Sequence, residues 1–413
     1  MKKIVLFLTA LFLFFQCTNN KPLPNTYELL DREGKSGLRP PLVLRPVRVA
    51  EYRKTPRAGT RGTLLLGKVD SLSSRIALDC RNFNKSKFDT TAEILGAELK
   101  LYSDAASDSN LTIPVSVLPI RRNWEESTVT LDTLKGAFDA PLFQATLQVK
   151  KNSWSTLTFS DLSFLRAWIR DNYRTTPTFF GIAVQANGEG MAQFVSSDAS
   201  LLTPNFRIVF RKTDGQVDTA VVALSKDASL LRFADPIAEG TPDFAPSLLR
   251  VGAGSGRRFL LRFDLSSLPK SATIHQALLS FKVDRDHSNT TVEGQMAVSI
   301  IAVKNDSTWE KPNELEVIGT SAVPYDMAVG SAELFSFDDS SSNLNSPVLY
   351  VSRTVQRWLT GVYANCGFLI YATNEGGNWQ QTAFYSGLSD SLQAPTLTIT
   401  YSLPAEPRFG GSR

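Results

Sequence analysis

The chain repeats itself, and this restricts its possible folds more than any other feature. Thr63-Leu64-Leu65-Leu66-Gly67 returns as Ser247-Leu248-Leu249-Arg250-Val251-Gly252, and Ile94-Leu95-Gly96-Ala97-Glu98-Leu99 as Ile274-His275-Gln276-Ala277-Leu278-Leu279. Gly67 and Gly252, Asp79 and Asp264, and Trp124 and Trp309 each stand 185 residues apart. Further on Trp168 answers Trp358, Gly181 answers Gly367 and Pro204 answers Pro395, with the drift in spacing that loop insertions produce. Such self-similarity means two copies of one unit sharing one architecture. The joint falls near Arg211 to Thr219, at Lys212-Thr213-Asp214-Gly215.

Each copy reads as strand. Ala97 to Tyr102, Leu278 to Val283 and Thr396 to Tyr401 alternate apolar and polar side chains, so each can bury one face. Asn187-Gly188-Glu189-Gly190 and Asn374-Glu375-Gly376-Gly377 are turn signals between such runs. One helix per copy breaks the pattern. Val351, Val355, Trp358 and Leu359 share a helical face ended by Gly361, and Leu162, Leu165, Trp168 and Ile169 form the counterpart, with Ser160 as N-cap. The expected fold class is all-β: two tandem antiparallel β-sandwich domains of jelly-roll type, each with one short helix.

The ends carry an address. Met1-Lys2-Lys3 precedes Ile4 to Phe15, a run apolar except for Thr9 and too short to span a bilayer. It stops at Gln16-Cys17. A lone Cys there fits the lipidation site of a bacterial lipoprotein; the alternative is an ordinary cleaved signal. The expected organisation is a signal peptide over 1–17, a flexible tether over 18–45, a first module over 46–212 and a second over 219–402. From Asp31 to Arg61 nine Lys/Arg face three acids, suiting either a solvated spacer or contact with anionic head groups.

A longer run of residues supports a family resemblance. Val251-Gly252, Arg258-Phe259-Leu260-Leu261-Arg262-Phe263-Asp264-Leu265-Ser266-Ser267-Leu268-Pro269 and Ala277-Leu278-Leu279-Ser280-Phe281 resemble the core signature of the DNRLRE-type domain. Thr308-Trp309-Glu310, Val355-Gln356-Arg357-Trp358, Asn365-Cys366-Gly367-Phe368 and Ala394-Pro395-Thr396-Leu397 follow in order, and Asp227-Ala228 matches the usual opening. The resemblance covers about 221 to 401, and reaches about 60 to 211 only through the repeat, because Asp79-Cys80-Arg81-Asn82-Phe83 has lost much of the signature. It implies a secreted or surface module, in a family often attached to polysaccharide-degrading enzymes or adhesins and in part similar to carbohydrate-binding modules.

The residues that chemistry needs are scarce. Two His, three Cys and a net charge of +4 leave no multi-histidine metal centre, no disulfide scaffold and no field suited to nucleic acid. His275 and His287 both lie in the second copy, and no Gly-x-Ser-x-Gly elbow accompanies them. Glu125 and Glu310 lack a second carboxylate at fixed spacing, so a hydrolase or lyase is the weakest reading. Asp284-Arg285-Asp286-His287 reads as a solvated hairpin loop, or as oxygen ligands for Ca²⁺. Asp79 and Asp264 read as structural hydrogen-bonding partners of a turn, Trp124 and Trp309 as packing, and Cys80 and Cys366 as free, half-buried thiols, the alternative being a disulfide across the domain interface. Gly252 to Gly256 reads as a turn, not a phosphate loop.

Sugar binding asks less: a flat exposed ring and a few amides. Trp379 sits in the polar turn Gly376-Gly377-Asn378-Trp379-Gln380-Gln381, with Asn378 and Gln380 beside it, and has no Trp counterpart in the first copy. The alternative is a ring folded back over a hairpin edge. The sequence therefore suggests a non-enzymatic, cofactor-free lipoprotein at the bacterial envelope, on the outer membrane or cell surface. Its expected partners are a polysaccharide and, through the lipid anchor, the membrane. The alternative function is a structural or adhesive protein whose modules act as spacers or dock an envelope protein.

Overall fold

A computed structural model describes residues 37–80, 92–234, 238–289, 296–311, 333–335, 348–388 and 390–404. The leader, Cys17 and most of the tether lie outside the described residues, as do Arg81, Asn82 and Phe83. The chain is all-β, with two α-helices among the described residues, α1 (Leu162–Asp171) and α2 (Ser352–Leu359).

The strands are β1 (Leu42–Leu44), β2 (Pro46–Arg53), β3 (Thr63–Val69), β4 (Leu72–Asp79), β5 (Glu93–Ala106), β6 (Leu111–Pro119), β7 (Phe143–Val149), β8 (Ser153–Thr158), β9 (Ile182–Ala186), β10 (Gly190–Val195), β11 (Asn205–Arg211), β12 (Val217–Ala223) and β13 (Lys226–Phe233). There follow β14 (Leu248–Gly252), β15 (Arg257–Phe263), β16 (Thr273–Ser280), β17 (Val283–Asn289), β18 (Met296–Ala302), β19 (Glu333–Phe335), β20 (Val348–Tyr350), β21 (Phe368–Ala372), β22 (Gln381–Tyr385) and β23 (Thr396–Ser402). The Asp284–His287 stretch, expected as a hairpin loop, lies within β17.

In the first copy one sheet runs β12-β11-β5-β10-β3-β4-β9-β6-β7, with β13 added to β4 and β8 to β5. The second copy divides the same pattern into β19-β18-β21-β15-β2, β1-β23-β16-β20 and β14-β22-β17. The match is strand for strand: β13-β4-β9-β6-β7 corresponds to β2-β15-β21-β18-β19. Each copy has its own core. Leu78, Leu99, Trp168, Phe194 and Phe206 belong to the first, and Phe259, Leu279, Val355, Phe368 and Phe384 to the second.

That match exposes an arrangement the sequence did not reveal. Lys212-Thr213-Asp214-Gly215, read as the joint between modules, turns a hairpin closed by Lys212 N–H donating to Gln216 O at 2.8 Å, and β12 pairs with β11 along its length. β13 then pairs with β4, so 217–233 completes the first copy. The equivalent strands of the second copy come from the other end of the chain. β1 pairs with β23, and β2 with β15. Residues 42–44, expected in the flexible tether, are thus a strand, and 46–53, expected to open the first module, lie on the second. Their side chains repeat the same roles. Leu65 N–H donates to Ser229 Oγ at 2.8 Å, and Arg250 N–H donates to Glu51 Oε2 at 3.2 Å. The isolated bridges Ala58–Ser229 and Glu51–Asp243 are likewise paired. The chain closes on itself: the first strands finish the last copy.

The repeated Trp and Gly have one shared task. Trp124 Nε1–H donates to Phe180 O and Trp309 Nε1–H to Cys366 O, both at 2.8 Å. Those carbonyls precede Gly181 (φ +118°) and Gly367 (φ +94°). A Cβ there would sit 2.2 Å from Leu78 O and 2.5 Å from Leu261 O, so only glycine lets β9 and β21 start so close to their neighbours. This register also corrects the pairing of Asp79 with Asp264. Leu78 faces Ile182 as Leu261 faces Phe368, which makes Asp79 the counterpart of Arg262, two places short of the pairing read from sequence. Asp264 does cap a turn, its Oδ1 accepting Ser266 N–H at 2.9 Å, whereas Asp79 is buried. The α1 cap is Asp161, one residue after the expected Ser160; its Oδ1 accepts from Ser163 N–H at 3.0 Å and Phe164 N–H at 3.1 Å. Cys80 and Cys366 are free and buried, and burial pushes both thiols up.

One buried acid gives a pH prediction. Asp227 on β13 accepts from Ser196 Oγ at 2.8 Å and Ser197 N–H at 2.6 Å, yet burial pushes its carboxyl up to about 6. An unfolded Asp titrates near ~3.9, so between these values the folded chain holds more protons than the unfolded chain. Stability should therefore rise as pH falls from about 6 to about 4, by up to ~3 kcal/mol. Denaturant titrations at pH 7 and pH 5 check this; a wild-type chain less stable at pH 5, or a pH dependence undiminished in Asp227→Asn, contradicts it.

Candidate functional site

Trp379 does not present its ring to solvent. It is 3% exposed and packs with Ala58, Leu65, Leu72, Met191 and Leu231, all on or beside the first copy's strands. The turn that holds it is pinned across the seam by Thr63 Oγ1–H donating to Gly377 O at 2.7 Å. Its polar neighbours satisfy one another: Asn378 Oδ1 accepts from Gln380 N–H at 3.1 Å, and Asn378 Nδ2–H donates to Gln380 Oε1 at 3.4 Å. Gln380 is buried too. The physical reason is the other copy. A polar turn gives a large ring no cover of its own, but the seam supplies an apolar wall that a reading of one copy does not contain. Trp379 is a plug between the copies, and Trp379, Asn378 and Gln380 do not form a sugar platform.

The exposed ring is elsewhere. β8 carries Ser155 and Leu157 inward, which puts Trp154, Thr156 and Thr158 on the solvent face. Trp154 is 41% exposed. Strand register sets it opposite Tyr102 on β5, and the rings meet edge to face with centroids 5.4 Å apart. The same outward parity of β5 carries Glu98, Lys100 and Asp104, because successive inward positions (Leu99, Leu101, Ser103) are buried. β11 contributes Asn205 opposite Lys100 and Arg207 opposite Glu98, the latter pair 3.7 Å apart. At the far end Gln193 Nε2–H donates to Asp104 Oδ2 at 3.1 Å, and burial pushes the Asp104 carboxyl up. The result is an open sheet face with two aromatic rings, amides, hydroxyls and charges of both signs. It offers an apolar ring face and several polar groups, and no nucleophile paired with a base.

Sequence reading missed this face, though one signal was available: in Ser153-Trp154-Ser155-Thr156-Leu157-Thr158 the Trp has the parity opposite to Leu157. The other candidates have assigned contacts. Glu125 pairs with Lys226 at 2.9 Å, and Trp124 and Trp309 are buried. The Asp284 carboxylate takes His287 N–H and Nδ1 at 3.1 and 3.0 Å. Among the described residues no three His, Cys, Asp or Glu side chains gather as a metal site would need. No helix among them is long and apolar enough to cross a membrane.

No family model and no curated protein matches the chain. Among solved structures it is similar to the Macrobrachium rosenbergii nodavirus, at 9% identity over 88% of this chain and 89% of that one, with a TM-score of 0.15. It is similar also to the C-terminal domain of the Streptococcus pyogenes antigen I/II-family protein AspA, at 7% identity over 87% and 92%, with a TM-score of 0.16. Likeness at that level carries no argument about fold or function.

Proposed function

We propose that this is a lipid-anchored protein of the bacterial envelope that binds extracellular polysaccharide without catalysis, built as two tandem β-sandwich modules of DNRLRE type. The observation that supports the binding role is the solvent-facing Trp154 beside Tyr102 on an open sheet face rimmed by Lys100, Thr156 and Asn205. A pyranose presents one apolar face that stacks on such a ring and hydroxyls that reach the amides and charges around it. The site moves to the first module, away from Trp379. The lipid anchor at Cys17 and the outer-membrane or surface location rest on the leader.

Affinity electrophoresis of the full chain through gels containing neutral or acidic polysaccharides tests the reading. Trp154→Ala should weaken retardation at least about tenfold, the loss of one stacked ring. Its thermal midpoint should stay with the parent, because an exposed side chain contributes little to folding. Retardation by no polymer, or equal retardation of Trp154→Ala, removes the proposal and shifts weight to an adhesive or docking role.

A further inference from the structure

A cleft of about 470 Å³ lies where β2, the 130–138 loop, the middle of β4 and the end of β13 meet. Arg53, Arg75, Lys135 and Arg232 line it, against Asp132 and Glu239. Glu239 is already engaged, its Oε1 accepting Thr55 N–H at 3.0 Å and its Oε2 accepting Thr55 Oγ1–H at 2.7 Å. None of the four cations has a carboxylate partner within ion-pair distance among the described residues.

The repeat shows how unusual that is. Arg75 faces Leu230 and Gln185 in the ladders, as Arg258 faces Tyr52 and stands beside Tyr371. The two arginines are therefore equivalent. In the second copy the charge is consumed: Arg258 Nε–H donates to Glu375 Oε1 at 2.7 Å, and its Nη2 donates to the other carboxylate oxygen. In the first copy the same arginine has no acid. It lies over the Phe138 ring, 5.4 Å from the centroid, and Arg53 lies over Phe233 at 5.8 Å, so both forks are held by flat apolar walls rather than by anions. Burial pulls Arg75 down, and the nearby Arg232 charge adds to this. Like charges held together in a half-enclosed cleft are relieved by a bound anion.

We propose that this cleft binds a dianionic oxyanion, a phosphate monoester on a small polar body, with Arg75 and Arg232 gripping the phosphoryl oxygens and Lys135 and Arg53 flanking them. The charge balance selects the class. Four cations against two acids leave two positive charges, which a phosphate monoester near neutral pH matches and a lone carboxylate does not. Arginine forks fit tetrahedral oxyanions through paired hydrogen bonds. The volume exceeds what a bare phosphate needs and suits a single sugar-sized body. The cleft is separate from the Trp154 face and does not depend on polysaccharide binding.

Calorimetric titration of the full chain with a hexose 6-phosphate, the unphosphorylated hexose and inorganic phosphate tests it. The hexose phosphate should bind at least tenfold more tightly than the hexose and weaken with added salt, with inorganic phosphate in between. Arg75→Gln and Arg232→Gln should each lower that affinity about tenfold or more, and Trp154→Ala should leave it unchanged. Arg232 is exposed and unpaired, so its variant stays informative if Arg75→Gln perturbs folding. A hexose phosphate that binds no better than the hexose overturns the proposal, as does undiminished binding by the Arg232→Gln variant.

Discussion

A chain beginning at residue 54 should lose the folded second copy while keeping the first. β2 contributes Ala50, Glu51 and Tyr52, all fully buried, to the second copy. Ala50 and Tyr52 share a cluster with Leu260, Val303, Trp309, Cys366 and Leu369, which truncation would open to water. Glu51 is the acid for Arg257 and, at 3.5 Å, for Arg250. Its loss leaves Arg257 with its charge in a buried position, a change that costs ~3–5 kcal/mol in comparable cases. Burial of Tyr52 adds ~1.5–3 kcal/mol and Ala50 less, and the edges of β15 and β23 lose their ladders. Together these losses rival the whole stability of a domain, ~5–15 kcal/mol. The first copy keeps β12 and β13 and gives up only the seam contacts of Trp379 and the Thr63–Gly377 hydrogen bond. Thermal unfolding of 54–404 beside 37–404 should show an unfolding enthalpy reduced to that of the first copy alone, and a synthetic 37–55 peptide should restore the full value, because a strand can be supplied in trans. If 54–404 melts within a few degrees of the longer chain, the closure is decoration rather than structure.

The closure also shows why only part of the architecture could be read from the residues. Repeat and alternation revealed the strands at Ala97–Tyr102 and Thr396–Tyr401, both helices and the packing role of Trp124 and Trp309, since those signals are local, whereas Leu278–Val283, expected as one strand, is divided between β16 and β17 in different sheets. Which copy a strand completes is not local. Val49 and Glu51 share one parity of β2 and Ala50 and Tyr52 the other, a pattern that would suit the first copy's sheet as well as the second's, and nothing in 42–53 encodes the distance to β15. The Asp79 and Asp264 misalignment has the same origin: equal sequence spacing passed for equal register, where a shift of two preserves the inward face. The sites failed in opposite ways. Trp379 looked exposed because its neighbours in sequence are polar, and its cover comes from Leu65, Leu72 and Met191, more than 180 residues away. Trp154 was legible from strand parity alone. The cationic cleft was not, since Arg53, Arg75, Lys135 and Arg232 converge only when β2, β4, β13 and a loop meet.

Trp379→Ala separates these readings most sharply. Truncating a buried Trp costs ~3–5 kcal/mol, more where the surroundings cannot collapse. Here they are poorly placed to do so. A Cβ added at Gly254 would lie 2.5 Å from Leu72 Cδ2 and 2.9 Å from Asn378 O, so the two copies already touch closely beside the ring. The vacated volume faces Leu65 and Met191 in strands β3 and β10, which are bound to each other over six residue pairs. The variant should therefore lose several kcal/mol and weaken the coupling between copies, so that one unfolding transition in the parent broadens or splits. Its residual polysaccharide retardation at low temperature should match the parent, because Trp154 lies on a different face. Trp154→Ala should show the reverse, unchanged melting with lost retardation. Were Trp379→Ala to melt like the parent yet lose retardation, the ring would have to leave its seam to meet a ligand, and the plug described here would be a lid. The packing argues against that: opening would expose a large ring and its apolar wall to water for the contacts of a single stacked sugar.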